Sequence, residues 1–484
     1  MLGGMACCQA GHSGDNGLMA LPDRLVGWLT PYLAGRPVTH GLAEGLRGLI
    51  LDGRLLPEVR LPSERALAEA LGLSRATVTS AFDVLRGEGL LRSRPADGTR
   101  IVLPSHRPYA DPDGVARRGD AIDLTAAVLP AGDAVDEAMR HAAFQLSPFL
   151  TGAGVHPSGL DELRAVIADR YTRRGLPTTG EQVLITSGAL HGWNLLLGVV
   201  ASPGAHILVE QPTYPSVVDA VLAHRLRPLP LPVDEDGWDV SQLSSNRAAL
   251  AHLTFDGHNP TGRWASDAER GAVLAALPRS TLVVCDETLV DFPHQAVTGT
   301  PTAALTGRTV VTLGSMSKTF WPGLRVGWIR GPVGLVSRIA AVRTGVDLGP
   351  AVVGQLAARH LLDRADQLLP ARRRVVAARR SALLEALDTA DWPHQRPGGG
   401  LSVWVDLGGI SSTDLARLAP EHGVRVTPGP RFTVTGTHDR HLRLPFVLPP
   451  ATLADAVRRL SEAATRAGRA RRPSRQAPYS SWVV

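Results

Sequence analysis

GSMSKTFWPGLRVG, residues Gly314–Gly327, holds the single lysine of the chain, Lys318. The chain carries 51 basic residues, so every other one is an arginine. Arginine serves wherever charge or hydrogen bonding suffices, but a guanidinium cannot act as a neutral, nucleophilic amine. An amine condenses with an aldehyde to give a Schiff base. Beside Lys318, Ser315 and Ser317 supply hydroxyls, and Arg325 supplies a planar fork suited to phosphate. A ligand bearing both an aldehyde and a phosphate would engage all four. Standing alone, the same stretch also reads as an ordinary Ser/Gly loop with a surface lysine.

Outward from this loop, short apolar runs alternate with helical patterns from about Ala121 onward. Val183–Ser187, Ile207–Glu210, His252–Phe255, Leu282–Cys285 and Val310–Leu313 read as strands. The alternation predicts an α/β domain with a largely parallel sheet. Polar residues follow these strands. Gly188 turns into Ala189 and Leu190 at a helix start, which is a backbone anion site. In EQPTY (Glu210–Tyr214), Tyr214 can stack on a flat ring, although core packing is the commoner fate of a tyrosine there. In HNPTG (His258–Gly262), Asn259 can donate to a phenolate oxygen. Asp286 ends an apolar strand, where a carboxylate can keep a pyridine nitrogen protonated, though such residues are often caps. HLRLPF (His441–Phe446) places Arg443 where it can take a carboxylate bidentately or sit in a surface ion pair. After about Leu362, a long arginine-studded helix, Gly398–Gly400 and strand-like Leu401–Leu407 predict a small C-terminal α+β subdomain over about residues 365–465.

A different signal lies upstream, in LPSERALAEALGLSRATVTSAFDVLRGEGLLRSRPADGTRIV, Leu61–Val102. Ser63 can cap a helix with Leu67, Ala68 and Leu71 on one face; Gly72 can turn the chain, and Ser74 can cap a second helix. Val78, Phe82 and Leu85 then face inward, leaving Arg75, Thr77 and Thr79 outward near the N-terminal end, where a recognition helix meets base edges. Leu90–Arg94 and Thr99–Val102, joined by a turn at Asp97 and Gly98, form a hairpin or wing whose Arg92, Arg94 and Arg100 can follow phosphates. A helical hairpin packed on the rest of the chain shares this periodicity.

The whole sequence bounds these readings. Its 484 residues, 44% apolar and 20% charged, describe a folded chain of several domains, not a disordered or membrane-embedded one. No apolar run approaches the roughly 18–20 residues that span a bilayer. The N-terminus lacks a signal sequence, and Cys7, Cys8 and Cys285 form neither a disulfide framework nor a metal-ligand spacing. A cytoplasmic location is expected, with no metal. The formal charge of +6 is mostly a tail effect: Arg466–Val484 holds five arginines and no acid. DNA binding must therefore rest on a patch. The expected organisation is a disordered tail at 1–20, a winged helix at 23–103, a linker at 104–120, a large domain at 121–465 and a flexible basic tail at 466–484.

The wording of these segments carries two resemblances. LPSER, SRATV and the Gly-Thr that closes the wing resemble the winged helix-turn-helix of GntR-type regulators, over about residues 40–103. The resemblance implies DNA contacts at Arg65, Ser74, Arg75, Thr77 and Gly98, and at Thr79, where some members carry arginine. The order and spacing of the later elements, together with HPSG (His156–Gly159) and Leu163-Arg164, resemble fold-type I aminotransferases over about residues 121–465. That fold implies pyridoxal 5′-phosphate and a mainly parallel seven-stranded sheet. By this resemblance Lys318 forms the Schiff base, Asp286 pairs with the pyridine nitrogen, Asn259 bonds the ring oxygen and Tyr214 stacks. The phosphate falls to Ser315, Ser317, Arg325 and the amides of Ala189 and Leu190. The combination, with a seven-residue interval from Lys318 to Arg325, looks like the MocR-type subfamily. It implies a DNA-binding regulator that senses pyridoxal phosphate or an amino-acid-like effector through Arg443, paired head-to-tail as a homodimer on a double-stranded operator. Two other readings stay open: a working aminotransferase with an accessory DNA module, and a DNA-binding scaffold with an empty pocket. Two departures bear on catalysis. Thr288 stands where the family often has tyrosine, and Gly154 and Val155 occupy the stretch where another tyrosine usually precedes the entry motif.

Overall fold

The structure is a computed structural model and describes residues 21–33, 37–51, 55, 60–87, 90–94, 98–102, 121–241, 243, 247–295 and 300–470. The expected tail at 1–20, the linker at 104–120 and the last residues from 471 lie outside the described residues. The chain divides into two compact units, Met1–Ala110 and Asp111–Val484.

In the first unit, helices α1 (Leu21–Leu33), α2 (Val38–Leu51), α3 (Glu64–Leu71) and α4 (Arg75–Gly87) precede a hairpin of β1 (Leu91–Arg94) and β2 (Gly98–Ile101). Ser63 caps α3 by accepting from the Ala66 amide at 3.2 Å. Gly72 ends that helix in the left-handed region at φ 65°. Ser74 opens α4 by accepting from the Thr77 amide at 3.1 Å. Val78, Phe82 and Leu85 are buried against Leu67 of α3, Leu42 and Leu46 of α2, and Leu91 and Ile101 of the hairpin. The i, i+4, i+7 spacing therefore sets which face of α4 is left to solvent.

In the second unit the chain starts with a short strand, β3 (Ile122–Asp123). The main sheet follows: β4 (Val183–Thr186), β5 (His206–Gln211), β6 (Arg227–Pro232), β7 (Leu250–Leu253), β8 (Leu282–Asp286), β9 (Val310–Ser315) and β10 (Gly327–Arg330). These seven strands run in the order β4-β10-β9-β8-β7-β5-β6. Only β10 is antiparallel to its neighbours. Period-two alternation feeds two cores. Val183 and Ile185 face helices α5 (Asp133–Gln145) and α6 (Asp161–Arg173), while Leu184 faces helices α7 (Ala189–Val200) and α8 (Pro215–Ala223). Buried on both faces, the central strands read as unbroken apolar runs.

Two strands escaped the sequence pattern. β10 is four residues long and lies directly after the lysine loop. β6 reads Arg-Pro-Leu-Pro-Leu-Pro and looks like a breaker. It is an edge strand in which Arg227 and Val233 donate inward, to Ala205 and Gln211, so Pro228, Pro230 and Pro232 take the outward positions where no N–H is needed.

The small lobe holds strands β11 (Ser402–Asp406), β12 (Val424–Arg425), β13 (Thr427–Pro428) and β14 (His441–Pro445). β11, β14 and β13 form an antiparallel sheet, and β12 pairs in parallel with β3. This lobe packs beneath helices Ala365–Thr389 and Pro450–Ala470. The last helix runs to Ala470, past residue 466 where a flexible tail was expected. Arg466 of this helix pairs with Glu421 in the Ala419–His422 turn at 2.6 Å. Among the described residues, no helix is long and apolar enough to cross a membrane.

Candidate functional site

The C-terminal strand ends of the large sheet converge on one cavity of about 230 Å³. After β4 the chain turns at Gly188, whose φ of 113° is costly for any other residue; a Cβ there would also meet the Arg325 guanidinium at 3.3 Å. Helix α7 starts at the next residue, so the amides of Ala189 and Leu190 stand at its positive end. Arg325 closes the same end of the cavity and donates to the Ser187 carbonyl. Ser315, the last residue of β9, accepts from the Ser317 amide at 3.1 Å. Backbone amides, two hydroxyls and a guanidinium thus surround one place, a donor set that matches a phosphate dianion.

Lys318 comes from the single helical turn after β9. Its Nζ donates to the Ala127 carbonyl at 3.0 Å. Burial pushes its pKa down to about 8; Arg443 adds to this, while Asp286 opposes it. Asp286, at the end of β8, accepts from the Thr288 amide at 2.8 Å. Asn259 lies in the loop after β7. That loop is pinned by buried His258, whose ring meets the Thr261 hydroxyl at 2.8 Å and Glu210 at 3.5 Å. Tyr214 opens helix α8 and is 37% exposed, so its ring lines the cavity instead of the core.

All nine residues singled out for the cofactor line this cavity: Lys318, Asp286, Asn259, Tyr214, Ala189, Leu190, Ser315, Ser317 and Arg325. Thr288 lines it too. Arg443 does not. It sits on β14, buried, donating to the Thr125 carbonyl and reaching the Asn259 oxygen at 3.5 Å. Its guanidinium lies 4.9 Å from the centre of the Phe432 ring. Among the described residues no carboxylate lies within ion-pair distance of it, and burial pushes its pKa down to about 10. Arg443 is therefore a desolvated cation, not the surface ion pair that sequence alone left open.

Sequence reasoning missed His252. It stands on β7, 1% exposed, with Nε2 4.0 Å from Asp286 and its ring edge-on to Trp193. Burial lowers its pKa. The available signal was a histidine inside an apolar strand, the run His252–Phe255. The Ala127 carbonyl that receives the lysine had no signal at all.

In the first unit, Arg65, Ser74 and Arg75 are exposed, and Thr77 is half-buried with its hydroxyl 2.8 Å from that of Ser74. Thr79 departs from the expected outward set. Its hydroxyl donates to Glu64 at 2.7 Å, and Glu64 also accepts from Arg86 at 2.6 Å. Arg86 reaches on to Ser93 of the wing at 3.0 Å. This short threonine is therefore tied to the frame that joins α3, α4 and the wing. Gly98 has φ 78°, and a Cβ on it would lie 2.7 Å from the Arg60 guanidinium. Arg60, exposed and bridged to Arg100 of β2, was not singled out in the sequence. Asp97 and the Arg94 side chain lie outside the described residues.

Known families match both parts. The pattern described as aminotransferase class I and II covers residues 123–460. The chain belongs to that family. Members of the aminotransferase class I and II family typically bind pyridoxal phosphate. The pattern of bacterial regulatory proteins, gntR family, covers residues 39–101 of this family member. The HTH-type transcriptional regulator TauR of Rhodobacter capsulatus is 28% identical over 88% of this chain and 96% of its own length. The probable rhizopine catabolism regulatory protein MocR of Rhizobium meliloti is 27% identical over 66% of this chain and 71% of its own. Among solved structures, LysN, the α-aminoadipate aminotransferase of Thermus thermophilus complexed with N-(5′-phosphopyridoxyl)-L-leucine, superposes with a TM-score of 0.67 at 28% identity. It covers 72% of this chain and 94% of its own. This aminotransferase-family chain thus joins a GntR helix-turn-helix to an aminotransferase-like domain, the layout of its MocR-type homologues.

Proposed function

We propose that this protein is a DNA-binding transcription regulator whose aminotransferase-like domain holds pyridoxal 5′-phosphate and senses it, or an amino compound that meets it. The observation that carries the reading is the junction of an exposed recognition-helix arginine, Arg75, and a nine-residue cofactor constellation in one chain.

The residues present fit the cofactor. Ser315, Ser317, Arg325 and the amides of Ala189 and Leu190 hold the phosphate. Asp286 faces the ring nitrogen, with His252 behind it. Asn259 bonds the ring oxygen and Tyr214 covers a ring face. When bound, the cofactor supplies an aldehyde that captures amines and a ring that withdraws electrons. Lys318, lowered to about 8, is partly neutral near physiological pH, the form that can attack an aldehyde. Arg443, desolvated and without a carboxylate partner among the described residues, recognises the carboxylate of an amino-acid-like effector. In the DNA reader, Arg75 approaches a base edge and Arg65, Ser74, Thr77 and the Gly98 amide contact the duplex. Thr79 acts through Glu64. Arg60 adds a cation at the wing.

Head-to-tail pairing of two copies is part of this reading. Phe144 and Leu150, 83% and 71% exposed, are apolar side chains that a second copy could cover. Sensing then requires the effector to prefer one arrangement of the pair over another. A mobility-shift titration on operator DNA, with and without pyridoxal phosphate, tests the proposal. Affinity that responds to the cofactor supports it, and absence of sequence-preferring binding in both conditions refutes it. A working aminotransferase is favoured by one observation, the coexistence of Lys318 and Arg443. Multiple-turnover transfer of the amino group from an amino acid to a keto-acid acceptor, with pyridoxal phosphate regenerated, would establish it.

A further inference from the structure

Beyond the cofactor cavity, the second unit has another cavity of about 340 Å³, open to solvent, between the small lobe and the loop after β6, whose Asp234 and Glu235 are exposed. Its walls hold three carboxylates, Asp234, Glu235 and Asp406, and two rings, Trp404 and His441, stacked at 11° with centroids 5.3 Å apart. No arginine lines it among the described residues, although the chain is rich in arginine. His438 is pushed by burial down to about 4, and burial lowers His441 as well, so neither offsets the carboxylates at neutral pH. His394, the other histidine in the wall, has its Nε2 3.6 Å from Asp388. The Nδ1 of His441 is buried without a hydrogen-bond partner among the described residues.

We propose that this cavity is a second ligand site, one that takes an organic ammonium ion. Carboxylates neutralise the charge and the Trp404 and His441 rings take the apolar body, the combination that recognises alkylammonium groups. The site is not the cofactor cavity, yet it shares elements with it. His441 is two residues from Arg443 on β14, Trp404 is the cross-strand partner of Arg443, and Thr261 follows Asn259 in the same loop. A cation seated there bears directly on the strand and loop that hold the effector arginine. This inference does not depend on regulation: it concerns binding alone.

Choline is a suitable probe, because its quaternary nitrogen cannot condense with the cofactor aldehyde. Its uncharged counterpart of equal shape is 3,3-dimethylbutan-1-ol. Isothermal titration of the full chain, loaded with pyridoxal phosphate, should show saturable choline binding and none for the alcohol. Asp406→Asn and Trp404→Leu should each weaken choline by about tenfold or more. Thermal melts report whether each variant is folded, and the half-exposed Asp406 provides the readout if loss of Trp404 unfolds the lobe. No saturable binding, equal binding of the alcohol, or full affinity in a folded Asp406→Asn variant each overturns the proposal. Loss of choline binding with intact operator binding separates this site from the function proposed above, and so does the reverse.

Discussion

In the winged-helix unit Arg65 and Arg75 stand in water, whereas in the second unit Lys318 is half-buried in the cavity wall and Arg443 is buried. Exposed arginines can meet a polyanion at low desolvation cost. Buried cations are changed by their surroundings: the amine moves toward neutrality and the guanidinium is left in search of an anion. On the proposed function, one surface docks on DNA and the other discriminates small molecules. Substitution should therefore have graded effects on the first and all-or-none effects on the second.

The largest effect is expected at Lys318. Lys318→Arg keeps the charge but cannot capture the aldehyde, so the visible absorption band that forms with pyridoxal phosphate should vanish while cofactor-free operator binding stays. A band that survives would break the contrast, since charge alone would then suffice. The sign of the pH effect follows from the lowered pKa. The amine is neutral above about 8, so stopped-flow capture should quicken as pH rises through that value and level off beyond it. Below it, capture should slow about tenfold per pH unit.

Arg443→Met comes next. Removing a desolvated charge partner should cost carboxylate-bearing amines about 2–4 kcal/mol. Spectral titration with L-alanine against ethylamine measures this, and the preference for alanine should disappear. Arg75→Ala should lower operator affinity by about 1–3 kcal/mol and relax selectivity at one position. An unchanged preference at every operator position would count against base reading. Arg60→Ala should have the smallest effect, a uniform few-fold weakening with the salt dependence reduced by about one ion. A position-specific loss there would move the wing from steering to reading.

Much of this was legible in the sequence because the proposed cofactor residues lie at or just after apolar strands, beside Gly or Pro signals. Lys318, Ser315, Ser317 and Arg325 share one loop, so their proximity is nearly dictated by the chain. Asn259 lies in the loop after β7 and Asp286 ends β8, and these two strands are neighbours in the sheet. Long-range contacts were not legible. Arg443 meets Asn259 across 184 residues, and Lys318 meets Ala127 across 191. Nothing local encodes such meetings. His252 was hidden for another reason: a single buried histidine in a strand has many ordinary uses, and only the adjacent β8 gives it Asp286 as a neighbour. Thr79 shows the converse. Helical phase put it outward, but one hydroxyl within reach of Glu64 was enough to turn it toward the frame.

The proline-studded β6 has a consequence for assembly. An open sheet edge is normally a template on which a foreign strand can register its own amides. Here the outward positions are occupied by pyrrolidine rings that offer no donors and stand in the way. Along this border, copies of the chain cannot recruit one another by backbone zippering, even when the protein is concentrated on neighbouring operators. Encounters on that side are restricted to side chains, so crowding on DNA should not seed sheet-to-sheet aggregation there.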